Sequence, residues 1–370
     1  MRFELSEEQG ELVDILTDLL QERSGSPAVR QAMESPAGYD EELWRTLAEE
    51  IGAASLAIPE EFGGAGFTRL EQSLVLERLG AALAPSPYLG SVAIAAAAVL
   101  ETGDAAAAAR LLPAVASGEA IAALAWADPH GRWAPATVDV RYDAAAGTLT
   151  GTVPLVLDGA AASPVLAIAQ GPDGPALFEV TDPGALTRIR KPALDPTLRF
   201  ATYRFDAVPA APLGLGADES WSAVFDRVRD RALVAVCAEQ IGVAERGLTM
   251  TVEYAKQRVQ FGRPIGSFQA LKHRMADMHV RLETARSASR AASWANAVDD
   301  PALPELAAVA KAWCGDALDL IAAETVQLHG GIAITWEHDA QLVFKRAHAL
   351  GQLFGTPATH RARLASTLGV

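Results

Sequence analysis

Two cysteines, Cys237 and Cys314, are all that the 370 residues contain. So few exclude a disulfide framework and make a reducing cytoplasm the expected compartment. Basic charge is scarce as well: there are five lysines, all after residue 190, and the formal net charge is −15. Nucleic acid and anionic membranes recruit basic patches, so neither is an expected partner. Long apolar runs are missing. The longest, Val92 to Leu100, is half of what a membrane helix needs and is closed by Glu101 and Asp104. The start, Met1 to Glu8, is acidic where a signal peptide is basic and then apolar. Also absent are HExxH, GxSxG, CxxC and a Gly-rich phosphate loop after a strand. The seven histidines are scattered, so no metal site is expected. No Asp or Glu follows Asp339.

What is present is apolar mass. Half of the chain is hydrophobic, enough for a full core without staples and too much for disorder. Alanine supplies 75 residues, which leans towards helices, although genomic base composition explains the excess equally well. Length alone allows one to three domains. The hydrophobic period then changes twice. Ser6 with Gln9 predicts a capping box, followed by Leu12, Ile15, Leu16, Leu19 and Leu20 on one helix face. Glu41 to Ile51, Arg69 to Leu83 and Ser91 to Leu112 read as further helices, with PEEFGGAG at 59–66 as a loop. Between about Ala120 and Leu215 the signal is β. Val138, Val140 and Tyr142 alternate, and Leu149 to Leu157, Val165 to Ala169, Ala176 to Val180 and Tyr203 to Val208 are short strand-like runs. From Trp221 the helical period returns in three long segments, ending near Arg258, Val298 and Leu328, where Gly330-Gly331 stops the last. The expected class is α+β. An α-helical domain spans 1–119, an antiparallel β-barrel or sandwich 120–216, and a four-helix bundle 217–370.

Two segments are more specific. One is YAKQRVQFGRPIGSFQ from Tyr254 to Gln269, continuing as ALKHRMADM; the other is QLHGG at 327–331, with Thr335 and Glu337 after it. With PEEFGGAG and with Phe205-Asp-Ala-Val-Pro209 before Leu213-Gly214, they resemble the acyl-CoA dehydrogenase family along essentially the whole chain. The resemblance implies a flavoprotein that takes an α-proton from an acyl-CoA with a carboxylate while a β-hydride goes to FAD. It implies tetramers with each FAD across a subunit boundary, and electron-transfer flavoprotein as acceptor. A pyrophosphate needs a fixed cation and close backbone approach. Arg258 supplies the cation, Gln260 and Gln327 hydrogen bonds, Phe261 an apolar wall, and Gly330 and Gly331 bare backbone. By the resemblance these are the half of an FAD site that one subunit offers its neighbour. Taken alone, RVQFG reads as a hairpin turn and the two glycines as a helix cap.

The other half departs from the family. The threonine expected to face the flavin is Ala127, and a Trp and Thr expected on the next strand are Leu155 and Leu157. The family's glutamate base falls on Phe354, followed by Gly355 and Thr356, and Thr356 is kept among the cofactor residues. A minority position for the base, ten residues before Gly242, is Ala232. Asp230 lies two residues, roughly 200° of helix, away. His348 and His360 are out of register as bases. Arg227 and Arg231 are candidates for CoA phosphates or a solvated helix face. The chain is therefore expected to have no catalytic residue of its own and to resemble the base-less subunit of actinobacterial hetero-oligomeric acyl-CoA dehydrogenases. Two other readings stay open: a self-sufficient homotetramer with a displaced base, and a flavin oxidase or monooxygenase on the same scaffold. Four of the lysines, 256, 272, 311 and 345, fall in the bundle, where the anionic cofactor is expected.

Overall fold

A computed structural model describes residues 4–217 and 219–369, so the Met1–Phe3 part of the acidic start lies outside the described residues. The helices are α1 (Glu7–Arg23), α2 (Ser26–Glu34), α3 (Glu41–Arg45, continued by a π turn, Thr46–Glu50) and α4 (Arg69–Ala82). A π-helical stretch, Tyr88–Ala95, leads into α5 (Ala96–Glu101), and α6 (Ala105–Ala116) follows. Strands come next: β1 (Ala123–Ala125), β2 (Arg141–Asp143), β3 (Thr148–Leu157), β4 (Val165–Gly171), β5 (Gly174–Val180), β6 (Thr187–Lys191) and β7 (Phe200–Pro212). The chain ends with α7 (Trp221–Gln257), the hairpin β8 (Val259–Gln260) and β9 (Arg263–Pro264), α8 (Gln269–Ala297), α9 (Leu303–His329), α10 (Ala340–Gln352) and α11 (Pro357–Leu368). Among the described residues no helix is long and apolar enough to cross a membrane, and no group of His, Cys, Asp and Glu could hold a metal ion.

The chain divides into two compact units, one of residues 35–72 and 86–232, the other of residues 1–34, 73–85 and 233–370. The first contains the β-structure. Its sheet runs β4–β2–β3–β7–β5, and β5 pairs back onto β4, which closes a small barrel. The expected antiparallel pattern holds for most of it, but β1 and β2 run parallel to β4. Val153, Val156, Ile168, Tyr203 and Val208 fill the interior. β6 carries Arg188, Arg190 and Lys191 and pairs with β7. A charged strand blunts a sheet edge. Elsewhere in this unit Glu101 is buried among Arg69 (3.2 Å), Arg227 (2.8 Å) and Arg231 (2.5 Å).

The second unit is helical. The capping box forms as expected, with Ser6 and Gln9 bonded reciprocally. α1 buries Leu16 and Leu20, whereas Ile15 points outward. α9 packs on α8, α10 and α11. The C-terminal part of α4 crosses α7 with the backbones in contact. A Cβ on Gly242 would stand 1.9 Å from the Glu77 carbonyl oxygen, and one on Gly80 would stand 2.4 Å from that of Glu239. Neither neighbour is a side chain that can swing away. Gly242→Ala is expected to cost about 3 kcal/mol by overpacking. Gly10→Ala, on α1 with open space around it, is expected to be neutral or to stabilise by about 0.5–1 kcal/mol. Urea unfolding of the two variants checks the contrast.

Around the same crossing, Arg78 pairs with Glu245 (2.6 Å), while Arg286 reaches Glu245 (3.1 Å) and Glu77 (3.3 Å). Asp339, the last acidic residue, accepts from Ser26 (2.7 Å) and Arg30 (2.8 Å) and so holds α2 to the start of α10.

Candidate functional site

In the helical unit α7 ends where its 3.6-residue period meets the Val259–Pro264 hairpin. Phe261 (φ 52°) and Gly262 (φ 76°) form its two-residue turn. Positive φ at both central positions is the turn that matches strand twist. The hairpin reading of RVQFG is therefore correct, but the turn leaves Phe261 93% exposed, with Val259 and Gln260 exposed beside it. An aromatic side chain so bare is unusual unless something covers it. Arg258 lies one residue past the helix. Its N–H donates to Tyr254 O (2.8 Å), its carbonyl accepts from Ile265 N (2.8 Å), and its side chain is exposed. Gln260 Nε2 donates to Val259 O (2.8 Å). From Tyr254 to Ala276 there is no acidic residue, against Lys256, Arg258, Arg263, Lys272 and Arg274. In a chain of net charge −15 that stretch is a signal the motif reading passed over.

The second group lies at the end of α9. Gly330 has φ 65° and ψ −143°, a region open essentially to glycine alone. Its N–H donates to the carbonyls of Gln327 and Val326. A Cβ on Gly330 or Gly331 would meet nothing within 4 Å, so the backbone there is bare and accessible. Gln327 is exposed on the last turn of α9. The Tyr254 ring stacks on that of His329 at 4.5 Å and 27°, which brings the end of α7 to the end of α9. Thr356 is the N-cap of α11, accepting from the Thr359 N–H.

The remaining positions are closed. Ala127 is fully buried in a bridge to Trp133, and Trp126 and Trp133 lie 5.8 Å apart. The neighbouring Asp128 would be pushed up by burial. The N–H groups of Arg132 and His130 and the Arg132 guanidinium (2.9 Å) outweigh this and hold it below its ordinary value. Leu157 is buried and Leu155 half-buried on β3. Phe354 is 4% exposed, and with Gly355 it forms a pair of positive φ angles, 57° and 107°. His360 Nε2 lies 3.0 Å from the Phe354 carbonyl oxygen, and His348 is exposed. Asp230 is tied to Arg229 at 3.0 Å. Arg227 and Arg231 are taken up by Glu101, and Arg227 also by Glu219 (2.9 Å). The lysine expectation fares unevenly. Lys311 is fully buried and donates to the carbonyls of Leu350 (3.1 Å) and Gly351 (3.2 Å), capping α10, with its amine pushed below its ordinary range by burial. Lys256 is paired with Glu253 (2.6 Å).

Comparison with known proteins decides the family. The chain is 40% identical over 362 residues to "Acyl-CoA dehydrogenase IpdE2" of Mycolicibacterium smegmatis, covering 97% of this chain and 98% of that one. The chain belongs to the acyl-CoA dehydrogenase family. The models "Acyl-CoA dehydrogenase, N-terminal domain" and "Acyl-CoA dehydrogenase, C-terminal domain" match residues 6–119 and 229–369. Among solved structures the chain is similar to one described as the ChsE4-ChsE5 complex from Mycobacterium tuberculosis, with TM-score 0.89 and 29% identity, covering 100% of this chain and 99% of that one. It is also similar to one described as a variant of the Tcur3481-Tcur3483 steroid ACAD, with TM-score 0.88 and 31% identity, covering 98% of each chain. Acyl-CoA dehydrogenases are FAD-dependent oxidoreductases acting on CH–CH bonds. The exposed Arg258 and the bare backbone at Gly330-Gly331 fit the diphosphate of FAD: an accessible cation and a surface that no side chain obstructs.

Proposed function

We propose that this acyl-CoA dehydrogenase chain is the non-catalytic subunit of a hetero-oligomer, a tetramer with two copies of each chain. In it the chain offers half of an FAD site to a partner subunit that carries the base. The observation that carries the reading is an asymmetry. Arg258, Gln260, Phe261, Gln327, Gly330 and Gly331 are retained and exposed, while Ala127, Leu155, Leu157, Ala232 and Phe354 stand where an active member holds its flavin contacts or its glutamate. Random decay removes both halves alike. A subunit selected to complete its partner's site keeps one.

FAD, when bound, accepts the hydride from the β-carbon of the acyl-CoA. This chain's residues have other tasks. Arg258 holds the diphosphate charge, the glycine turn lets it approach the main chain, Gln260 and Gln327 orient it, and Phe261 inserts an apolar surface into the partner. Phe354 accepts no proton and excludes water. The similarity to chains of described two-protein and steroid complexes supports a steroid-derived acyl-CoA as substrate of the assembly, while electron-transfer flavoprotein as acceptor follows from the family resemblance and the cytoplasm as location from the scarcity of cysteine. The ends of the two family matches, residues 119 and 229, support the division into 1–119, 120–216 and 217–370. A displaced base is disfavoured because Asp230 is held by Arg229 and His360 lies against a carbonyl.

The test is flavin stoichiometry. The chain purified alone is expected to be nearly colourless and inactive. Co-expressed with its partner it is expected to give a yellow, active complex with less than one FAD per chain. In that complex Phe354→Ala leaves turnover within about twofold, since no proton transfer passes through it, whereas loss of the partner's carboxylate abolishes it. Full FAD occupancy and turnover by the lone chain would overturn the proposal.

A further inference from the structure

Tyr254, His329 and His338 form a cluster of rings to which the motif reading gave no role. Tyr254 is on the last turn of α7, four residues before Arg258. His329 is the final residue of α9, directly before Gly330. His338 follows the glycine turn and precedes α10. The His329 ring is 4.5 Å from Tyr254 and 4.7 Å from His338, and Tyr254 and His338 are 6.3 Å apart. His329 is 3% exposed, and its Nδ1 lies 2.7 Å from the Thr325 carbonyl oxygen. His338 Nδ1 accepts from the Ala340 N–H (3.1 Å), which leaves its own proton on Nε2. The cluster thus joins the two places at which the proposed half-site meets the diphosphate.

We propose that His329 is a positioning residue of the FAD half-site: packed against Tyr254 and His338, its neutral ring locks the Arg258 end of α7 to the glycine turn after α9. This deepens, and rests on, the FAD reading above. Aromatic contacts of this kind add to what burial alone supplies, and two of them converge on one ring.

The lock is sensitive to protons. Burial pushes the His329 ring below its ordinary 6.5; the Thr325 carbonyl opposes this, His338 adds to it, and the Met250 carbonyl opposes it. Burial likewise pushes His338 down, against Asp339 at the start of α10 and with Arg246 of α7 and Arg30 of α2. Both rings therefore take a proton more readily when the cluster is open than when it is closed. A depressed histidine costs nothing above its ordinary value, so the lock is intact above about pH 6.5 and weakens as pH falls below it.

The measurement is FAD affinity of the flavin-stripped complex between pH 7.5 and 5.5. Wild type is expected to bind severalfold more weakly at the acid end, because the rings are held below their ordinary value only while the cluster is closed. His329→Phe keeps the stacking but cannot titrate. It is expected to match wild type within about twofold at pH 7.5 and to show a shallower profile than wild type, the remaining slope coming from His338. His329→Ala is expected to bind about tenfold more weakly already at pH 7.5, corresponding to the lost ring contacts. The lone chain supplies a second readout: its thermal midpoint falls below pH 6.5 in wild type more than in His329→Phe. Parallel pH profiles for wild type and His329→Phe would overturn the inference. Arg258→Ala separates the two levels. If it leaves FAD binding unchanged, the half-site reading itself fails. If it weakens binding while His329→Phe keeps the wild-type slope, only the lock is wrong.

Discussion

Arg346→Met is expected to destabilise the protein by about 3–5 kcal/mol, the largest stability loss foreseen for a single substitution here. Arg346, on α10, is among the largest fully buried side chains, and its partner Glu239, on α7, is buried with it. An ion pair out of water contributes little net stability, because desolvation offsets the attraction. Removing one member, however, leaves the other charge buried and uncompensated. The loss should therefore come from the buried Glu239 carboxylate, which no longer faces the Arg346 guanidinium. The double variant Arg346→Met/Glu239→Leu is expected to recover most of it, since an apolar pair of similar volume is often neutral or better. Urea midpoints of the single and double variants decide the matter. A double variant as unstable as the single one would show that the cost is lost packing and not the broken ion pair.

Arg258→Glu is the functional counterpart. A charge-assisted hydrogen bond to a phosphate is worth about 1.5–3 kcal/mol, and reversal adds repulsion to its loss. The co-expressed complex is expected to lose FAD affinity at least about 100-fold and to be isolated nearly colourless. Arg258 is exposed, and its ordered contacts are made by its backbone. The thermal midpoint of the lone chain should therefore move by no more than about 1 °C, as for surface substitutions in general. Unchanged flavin content in the variant complex would count against the half-site.

The long helices were legible because their period is local. α7, α8 and α9 start and stop within a few residues of where the apolar spacing and the glycines place them. The strands β3, β4, β5 and β7 were legible as short apolar runs between turn residues. β6 was not, because Thr187–Lys191 carries charge where a strand is usually apolar, although it pairs with the next strand in the chain. α2 went unread because it is only nine residues long, although Val29, Ala32 and Met33 fall on one buried face. α10 and α11 were not delimited singly within the expected bundle, and the departure from the family at Phe354 falls between them. In the candidate site, residue identities were legible through family resemblance and exposure was not. Only the fold shows that Phe261 is bare and Ala127 sealed. It also shows that Arg227 and Arg231 answer to a buried Glu101, and that Lys311 caps a helix where a cofactor contact was expected. Side-chain partners contributed by distant segments leave no trace in local spacing.

The helical unit is assembled from residues 1–34, 73–85 and 233–370, whereas the unit containing the barrel is complete once residue 232 has been made. On a ribosome this fixes an order. The barrel unit can close while the last third of the chain is still being translated, but α1 and α2 must wait for partners that emerge near the C-terminus. At about 5–20 residues per second that wait is on the order of a quarter of a minute to a minute. The amphipathic face of α1, with Leu16 and Leu20 at its centre, stays uncovered throughout. Nascent chains of this protein are accordingly expected to depend on holding chaperones through their N-terminal helices.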